Sequence, residues 1–416
     1  MLATGGALMR VAGAARVAPG GILAARAALV GLLGFLLLGG WAGPAAAAEG
    51  EGGLFTWRPS LRLTTVASDN VFYEESGAEG SLGAWIAPRL ELSYRRPSLE
   101  LGADVGVDFR RYVDHSSLGD ELYRGVAWGE AALGRGLTFR LSNAFVPQPV
   151  TLGLPEDEAS NLVQTNRSEA DLRWWHGLSG GRELEIGVQG SYFFTEDYAE
   201  MVPSAGGIVL DPDFHADYAQ GLGFIEVQSP VGEATTAYVR TQGSYRSFGD
   251  ISSASHANLS LLVGLRSARW KGLDLDLAGG VGALSFDSFG DEIRALGRLS
   301  VRWRVGEGWI LSLAGRHLTT PNLAGQEALD STGEIGVTRR FGAATEAALR
   351  FFVTRFEGDL RSSRSNLFGG AELTLRHQLT SQIQLQAGYR HWNNAGSLGF
   401  DDFSQNRVLL EIGFRL

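Results

Sequence analysis

The sequence has no cysteine and a single lysine, Lys271. Without cysteine, neither a disulfide framework nor a thiolate metal site is possible. After residue 50 there is no uninterrupted apolar run of about 18 residues, which excludes a transmembrane helix in that part of the chain. No linker rich in proline, serine or charge divides it either. These absences predict one domain that uses neither disulfide nor thiolate chemistry.

Residues 1–48 have the pattern of a secretory signal peptide. Arg10, Arg16 and Arg26 give a positive start without any acid, and an apolar segment and an alanine-rich cleavage site follow. The alternative is an N-terminal membrane anchor. Removing these arginines takes the net charge from −10 to −13, and this acidity argues against nucleic acid as a partner. Residues 49–416 are therefore predicted to form the mature, single-domain chain.

From Leu54 onward, segments of alternating apolar and polar residues are joined by connections that are short and long in turn. The short connections lie at 95–98, 134–136, 177–181, 229–233, 268–272, 306–308, 341–343 and 379–382, and the long ones near 67–80, 113–120, 149–163, 196–213, 249–254, 287–291, 319–328, 357–363 and 393–402. Short periplasmic turns between longer extracellular loops are typical of outer-membrane barrels. The pattern predicts an all-β, antiparallel transmembrane β-barrel of about 18 strands, within a range of about 16–18.

The alternation also predicts which side chains meet lipid. In segment 98–110 the odd positions are apolar, whereas the even positions include charged residues. An outer-membrane barrel turns its apolar face to lipid and its polar face to the lumen. A large soluble sandwich or propeller would alternate equally well, but a propeller should show repeated blades and none is visible.

Aromatic residues gather at both ends of the segments. Trp174, Trp175, Trp270, Trp303 and Trp309 lie near short turns, and Tyr112, Phe194, Phe248, Phe286, Phe356 and Trp392 lie near long connections. Amphipathic rings favour the lipid–water interface, so two aromatic bands are predicted, one at each face of the outer membrane.

The segment 407–416 is expected to be the strand that closes the barrel. Lipid offers no hydrogen bonds to an unpaired strand edge, so the first and last strands should pair. The apolar row of this segment is predicted to be the signal that the barrel-assembly machinery recognises, and its residues are Leu410, Ile412, Phe414 and Leu416.

One stretch carries a family resemblance. The sequence "TTVASDNVFYEESG", followed by "IAPRLELSYRRPSLELGADVGVDFRRY", resembles the β-barrel porin families associated with exopolysaccharide export, over residues 57–112. The resemblance implies an outer-membrane outlet and a periplasmic polysaccharide-export protein as a partner. The Asp69-Asn70 pair within it has two interpretations: both residues favour turns and would bend the chain out of the first strand, or they contact a ligand.

The polar face supplies the candidate pore lining. Acids gather in the first half of the chain and near 274, and arginines between 294 and 350, so opposed walls would create a transverse field. Alternatively these charges pair with one another. The candidates are Glu100, Asp104, Asp108, Arg110, Glu183, Glu185, Asp274, Asp276, Arg294, Arg298, Arg302, Arg316 and Arg350.

The sequence contains no recognisable catalytic motif. The histidines are scattered singly, and no nucleophile-elbow or metalloprotease motif occurs, so the chain is predicted not to be an enzyme and to need no cofactor. The remaining function is a channel in the outer membrane of a Gram-negative bacterium, surrounded by lipid and lipopolysaccharide. The sequence favours passage of a polar polymer or oligosaccharide in exopolysaccharide secretion. The alternatives are a diffusion porin for small hydrophilic solutes and a non-conducting structural or adhesive barrel.

Overall fold

The computed structural model describes ten stretches of the chain. They are residues 54–71, 78–115, 121–149, 162–195, 217–248, 255–286, 290–321, 327–357, 365–396 and 402–416. The predicted signal peptide and most of the predicted long connections lie outside them. In the described stretches no helix is both long and apolar enough to cross a membrane, and no group of acids and histidines is arranged to hold a metal ion.

The described chain consists almost entirely of strands. They are β1 (Leu54–Ser68), β2 (Ser81–Arg96), β3 (Leu99–Tyr112), β4 (Glu121–Gly134), β5 (Leu137–Pro149), β6 (Leu162–Gly177), β7 (Glu183–Thr195), β8 (Tyr218–Gly232), β9 (Thr235–Phe248), β10 (His256–Ser267), β11 (Leu273–Phe286), β12 (Gly290–Val305), β13 (Trp309–Pro321), β14 (Glu327–Phe341), β15 (Thr345–Glu357), β16 (Ser365–Gln378), β17 (Ile383–Gly396) and β18 (Phe403–Arg415). One 3₁₀ turn, Ser179–Gly181, lies between β6 and β7.

Each strand pairs antiparallel with its neighbours in sequence, and β18 pairs with β1, which closes the sheet. The result is an antiparallel barrel with 18 strands, and it confirms the fold predicted from the alternation. A closed sheet has no edge, so every interior strand finds backbone partners on both sides. We call the end of the barrel with the short connections the turn end and the opposite end the loop end.

The short connections match their predicted positions with one exception. The sequence predicts a turn at 229–233, but β8 continues through Pro230 to Gly232, and β9 begins at Thr235. Pro230 is still opposite Thr236, with an irregularity in the pairing just beyond it. Proline lacks an N–H but is tolerated near the end of a strand and at bulges, so this proline does not stop the strand.

The two faces of the wall differ as predicted. On β8, Ile225 and Val227 are exposed, whereas Glu226 between them is only 2 % exposed. The Arg266 side chain on β10 reaches Glu226 across the intervening β9, with 2.9 Å between Arg266 Nη1 and Glu226 Oε1. Side chains converge in this way on a concave surface. The polar rows therefore line the inside, and the apolar rows cover the outside.

The seam between β1 and β18 is reinforced by side chains at the loop end. Asn70, just after β1, is buried and donates from its side-chain amide to the Ser404 carbonyl oxygen at 3.1 Å. Gln405 donates in return to the Asn70 carbonyl oxygen at 2.7 Å and to Ser68 Oγ at 3.1 Å. Asp69 contacts Asn406 in the same place. The Asp69-Asn70 pair thus has a structural role in closing the barrel, in addition to ending the first strand.

Only one of the two predicted aromatic bands has the expected orientation. Near the turn end, Trp174, Trp303 and Trp309 belong to the outward rows, whereas Trp175, which is opposite Glu185, lies on the inner face. Near the loop end, the aromatic residues of the prediction lie mostly on the inner face; these are Tyr112, Phe248, Phe286, Phe356 and Trp392. A ring close to a strand end faces lipid only if it has the same parity as the outward row, and these five residues have the parity of the inward row. The expectation of a second lipid-facing band was wrong.

Candidate functional site

The polar residues predicted to line a pore all lie on the inner face of the barrel. Residues directly opposite each other on paired strands point to the same face. Followed from strand to strand around the barrel, this rule places all of the predicted residues on the inner face. For example, Glu185 is opposite Glu226, Arg266 is opposite Asp276, and Arg298 is opposite Arg316. The structure does not separate the set into an acidic and a basic wall, because most charges alternate with opposite charges from neighbouring strands. Their role in solute passage stays a prediction.

Asp108 on β3 is surrounded by arginines. Its carboxylate lies 3.8 Å from the Arg62 guanidinium, 3.8 Å from that of Arg89 and 3.6 Å from that of Arg110. Arg62 also lies 3.8 Å from Glu411. We call these five residues the Asp108 cluster. A segment that is acidic in sequence thus becomes a locally basic region, because β1 and β2 contribute arginines that the sequence analysis did not select.

A second chain of charges crosses from β8 to β12. Glu226 lies between Arg240 at 3.4 Å and Arg266 at 2.9 Å. Arg266 is also 3.6 Å from Asp276, whose carboxylate is 3.2 Å from Arg298. The Tyr238 hydroxyl, from a side chain that is almost fully buried, donates to Asp276 at 3.0 Å and accepts from Arg298 at 2.8 Å. The buried Glu226 carboxylate and the buried Tyr238 hydroxyl therefore both have partners.

A third group forms a ladder on β14 to β17. Arg350 lies 3.4 Å from Glu334 and 2.8 Å from Glu372, and Glu372 lies 3.2 Å from Arg390. Acid and base alternate from strand to strand at this level of the wall. These contacts place Arg350, one of the predicted residues, in an ion-pair network.

The remaining predicted residues differ in their partners. Arg294 binds Glu292 at 2.7 Å, and Arg316 lies 2.6 Å from Asp330, which is only 1 % exposed. Asp274 pairs with Arg304 at 3.0 Å, although Arg302 is the residue directly opposite it. Within the described stretches, Glu183 and Arg302 form no ion pair or side-chain hydrogen bond.

Several rings on the inner wall lie flat over a glycine of the adjacent strand. Phe224 covers Gly187, Tyr238 covers Gly264, and Phe352 covers Gly370. A Cβ on any of these glycines would overlap the ring, so the absence of a side chain is what permits the close approach. Trp128 on β4 covers Gly102 on β3 in the same way. The pattern of a single strand gives no signal for this contact, because the ring above each glycine comes from the neighbouring strand.

Accessibility along the inner face changes from one end of the barrel to the other. At the loop end the inward side chains are buried even when they are large: His256 and Phe368 are 1 % exposed, and Phe248 is 5 % exposed. At the turn end, inward residues such as Arg302 and Arg376 are exposed. The inward side chains are therefore closely packed near the loop end and accessible towards the turn end.

An arc of rings runs around the covered end. Phe193 stacks on Tyr218, with centroids 4.9 Å apart, and Tyr218 contacts Phe248 at 5.5 Å. Phe248 contacts His256 at 6.2 Å, and His256 contacts Phe286 at 5.4 Å. Aromatic pairs at these distances are favourable, so five neighbouring strands are held together by one continuous set of ring contacts.

Comparison with known proteins gives a match in structure but none in sequence. No protein-family model matches the chain, and neither does any curated protein. The crystal structure of the outer membrane protein OpdK from Pseudomonas aeruginosa has a TM-score of 0.51 and 11% identity, over 87% of this chain and 99% of that chain. A structure of P. aeruginosa OpdK with vanillate has a TM-score of 0.51 and 10% identity, over 86% of this chain and 99% of that chain. P. aeruginosa OccK9 (OpdG) has a TM-score of 0.51 and 12% identity, over 87% of this chain and 98% of that chain. At such identities the likeness concerns the fold.

Proposed function

We propose that this chain is an outer-membrane channel for small hydrophilic solutes. The proposal is supported by the closed barrel, the apolar outer face and the charged inner face. Barrels of about 16–18 strands leave an aqueous channel, whereas eight strands leave room only for side chains. The similar fold of OpdK, which is an outer membrane protein, supports the location in lipid. Outer-membrane lipid, lipopolysaccharide and the barrel-assembly machinery are then its proposed surroundings.

The observation that carries the small-solute proposal is the covered loop end. The inward rings at this end project from the wall and pack on one another, so they take up part of the cross-section that a polymer chain would need. A small solute needs only a narrow path past such side chains, while a polysaccharide needs a continuous wide one. Small solutes therefore fit this barrel better than the export substrate favoured by the sequence.

The export hypothesis depends on the resemblance over residues 57–112. Part of that stretch, Asp69 and Asn70, contacts β18 and closes the seam, which is a role that any barrel needs. Neither the fold comparison nor the inner-wall geometry adds support for polysaccharide passage. Export and a non-conducting structural barrel therefore remain as outcomes that an experiment must separate from diffusion.

Two measurements on the same deletion strain separate these functions. Surface polysaccharide and the permeability to small solutes are measured side by side, and purified protein is tested in planar bilayers. The small-solute proposal requires reduced permeability, unchanged polysaccharide and a measurable ion current. Lost polysaccharide with unchanged permeability would instead support export. No change in either, with electrically silent bilayers, would leave the structural barrel.

The first solute to test follows from the fold comparison. OpdK has been crystallised with vanillate, a small aromatic carboxylate. The Asp108 cluster gives this chain a locally basic region on the inner wall, which would attract a carboxylate. Swelling of protein-containing liposomes in vanillate, compared with a neutral solute of similar size, measures this preference.

A further inference from the structure

Several rings that lie on the inner wall are covered by an arginine of the protein itself. The Arg240 guanidinium carbon lies 4.0 Å from the Phe224 centroid, and that of Arg266 lies 4.2 Å from the Tyr238 centroid. Trp85 has Arg110 at 4.7 Å and Arg407 at 5.0 Å. Cations favour the negative face of an aromatic ring at these distances. The wall thus repeats one arrangement, in which a guanidinium occupies the ring face.

Trp128 departs from this arrangement. Its indole lies over Gly102, as Phe224 lies over Gly187, so one face rests on the wall and the ring is half-buried. Among the described residues, no guanidinium lies over its other face. Trp128 lies at the middle of β4, and Glu130, the next inward residue towards the turn end, is exposed. Trp128 therefore presents an uncovered aromatic face to the lumen.

Carboxylates surround this face. Gly102 lies between Glu100 and Asp104 on β3, and Glu130 is two residues from Trp128 on β4, directly opposite Glu100. Glu100 already pairs with Arg95 at 2.9 Å. Asp104 and Glu130 form no ion pair or side-chain hydrogen bond with a described residue. Arg140 on β5 is directly opposite Glu130 but makes no ion pair with it, and Arg89 and Arg173 act only as more distant charges. The site thus combines a ring face with two acids that lack a close partner.

We infer that Trp128, Asp104 and Glu130 form a binding site for the cationic group of a passing solute, a protonated amine or a guanidinium. The solute's cation would take the position that an arginine takes on Phe224 and Tyr238, and the two carboxylates would balance its charge. This inference rests on the proposed channel function, since a solute must enter the lumen to reach the ring. It adds to that function a site that selects for organic cations.

The probe is argininamide, which carries an amine and a guanidinium but no carboxylate, titrated calorimetrically into detergent-solubilised protein. Trp128→Ala should weaken binding about two- to fivefold, the range of an exposed cation–π contact. Trp303→Ala removes an outward-facing tryptophan and should leave the titration unchanged. The double variant Asp104→Asn, Glu130→Gln keeps the shape of both side chains, and it should weaken binding and reduce the dependence on salt.

The outcomes separate this inference from the channel proposal. Failure of the wild-type protein to bind argininamide, or equal affinity in wild-type protein and the double variant, would overturn the site even if bilayers conduct. Binding that depends on Trp128 in a barrel that carries no current would keep the site and overturn the channel. If Trp128→Ala does not fold, the affinity of the double variant for argininamide still tests the site, because that variant preserves the side-chain volumes.

Discussion

Asp69 binds Asn406 through both of its carboxylate oxygens. Oδ1 accepts a hydrogen bond from the Asn406 backbone N–H at 2.7 Å, and Oδ2 accepts one from the Asn406 side-chain amide at 2.7 Å. The two residues belong to opposite ends of the chain and meet only because the barrel closes. The backbone ladder between β1 and β18 is continued by these side-chain bonds at the loop end.

Loss of this contact should weaken the closure. Asp69→Ala is expected to lower the stability of the folded barrel by about 1–3 kcal/mol, because hydrogen bonds to a charged acceptor contribute about that much. The measurement is the midpoint of the heat-induced shift in gel mobility. Asp69→Asn retains one acceptor oxygen, so its midpoint should lie between those of the wild-type protein and the alanine variant. An unchanged midpoint for the alanine variant would show that the backbone ladder alone holds the seam.

The buried Glu226 should be far more sensitive than an exposed acid. Glu226→Ala leaves Arg240 without its carboxylate partner and Arg266 with only Asp276, and removing one member of a buried pair costs up to about 3–5 kcal/mol. Glu346→Ala removes the exposed pair with Arg340, which contributes about 0–1 kcal/mol. Urea unfolding of both variants measures the difference. Equal effects would contradict the assignment of Glu226 to the centre of a network.

Asp108 should control the charge of the nearby lumen. Asp108→Asn leaves the arginines of its cluster less compensated, so the reversal potential in a salt gradient should move towards anion selectivity. Asp274→Asn affects only one exposed pair, with Arg304, and should produce a smaller shift. An unchanged reversal potential in the first variant would show that ions do not pass by this cluster.

The outward row of β18 can be tested against its inward neighbour. Leu410 is 58% exposed on the apolar face, and Leu409 belongs to the inner face. Leu410→Arg should cost about 2–4 kcal/mol near mid-membrane and lower the amount of protein in the outer membrane. Leu409→Arg introduces the same charge into the lumen and should insert better. Comparable loss of both would argue against the predicted assembly row, which also includes Ile412, Phe414 and Leu416.

The sequence allowed the barrel to be predicted because alternation and connection length are local signals. Even β14, whose alternation is poor, was placed correctly by the rhythm of connections around it. The ion-pair partners could not be predicted in this way. Arg62 meets Asp108 only through the register of β1, β2 and β3, and register is a property of strand pairing rather than of one segment. The inward orientation of Tyr112, however, follows from the sequence. Tyr112 is five residues from Val107 on the apolar row, and an odd separation places it on the opposite face.

The rings above glycines have a consequence for assembly. Alternating strands resemble one another, and a slip by two residues keeps every apolar side chain facing outward, so hydrophobicity alone does not exclude it. Such a slip would place Glu100 or Asp104 where Gly102 now lies beneath Trp128. The side chain would collide with the indole, and the same reasoning applies to Tyr238 over Gly264. Each ring and its glycine therefore favour one register of the two neighbouring strands and disfavour the register that is shifted by two residues.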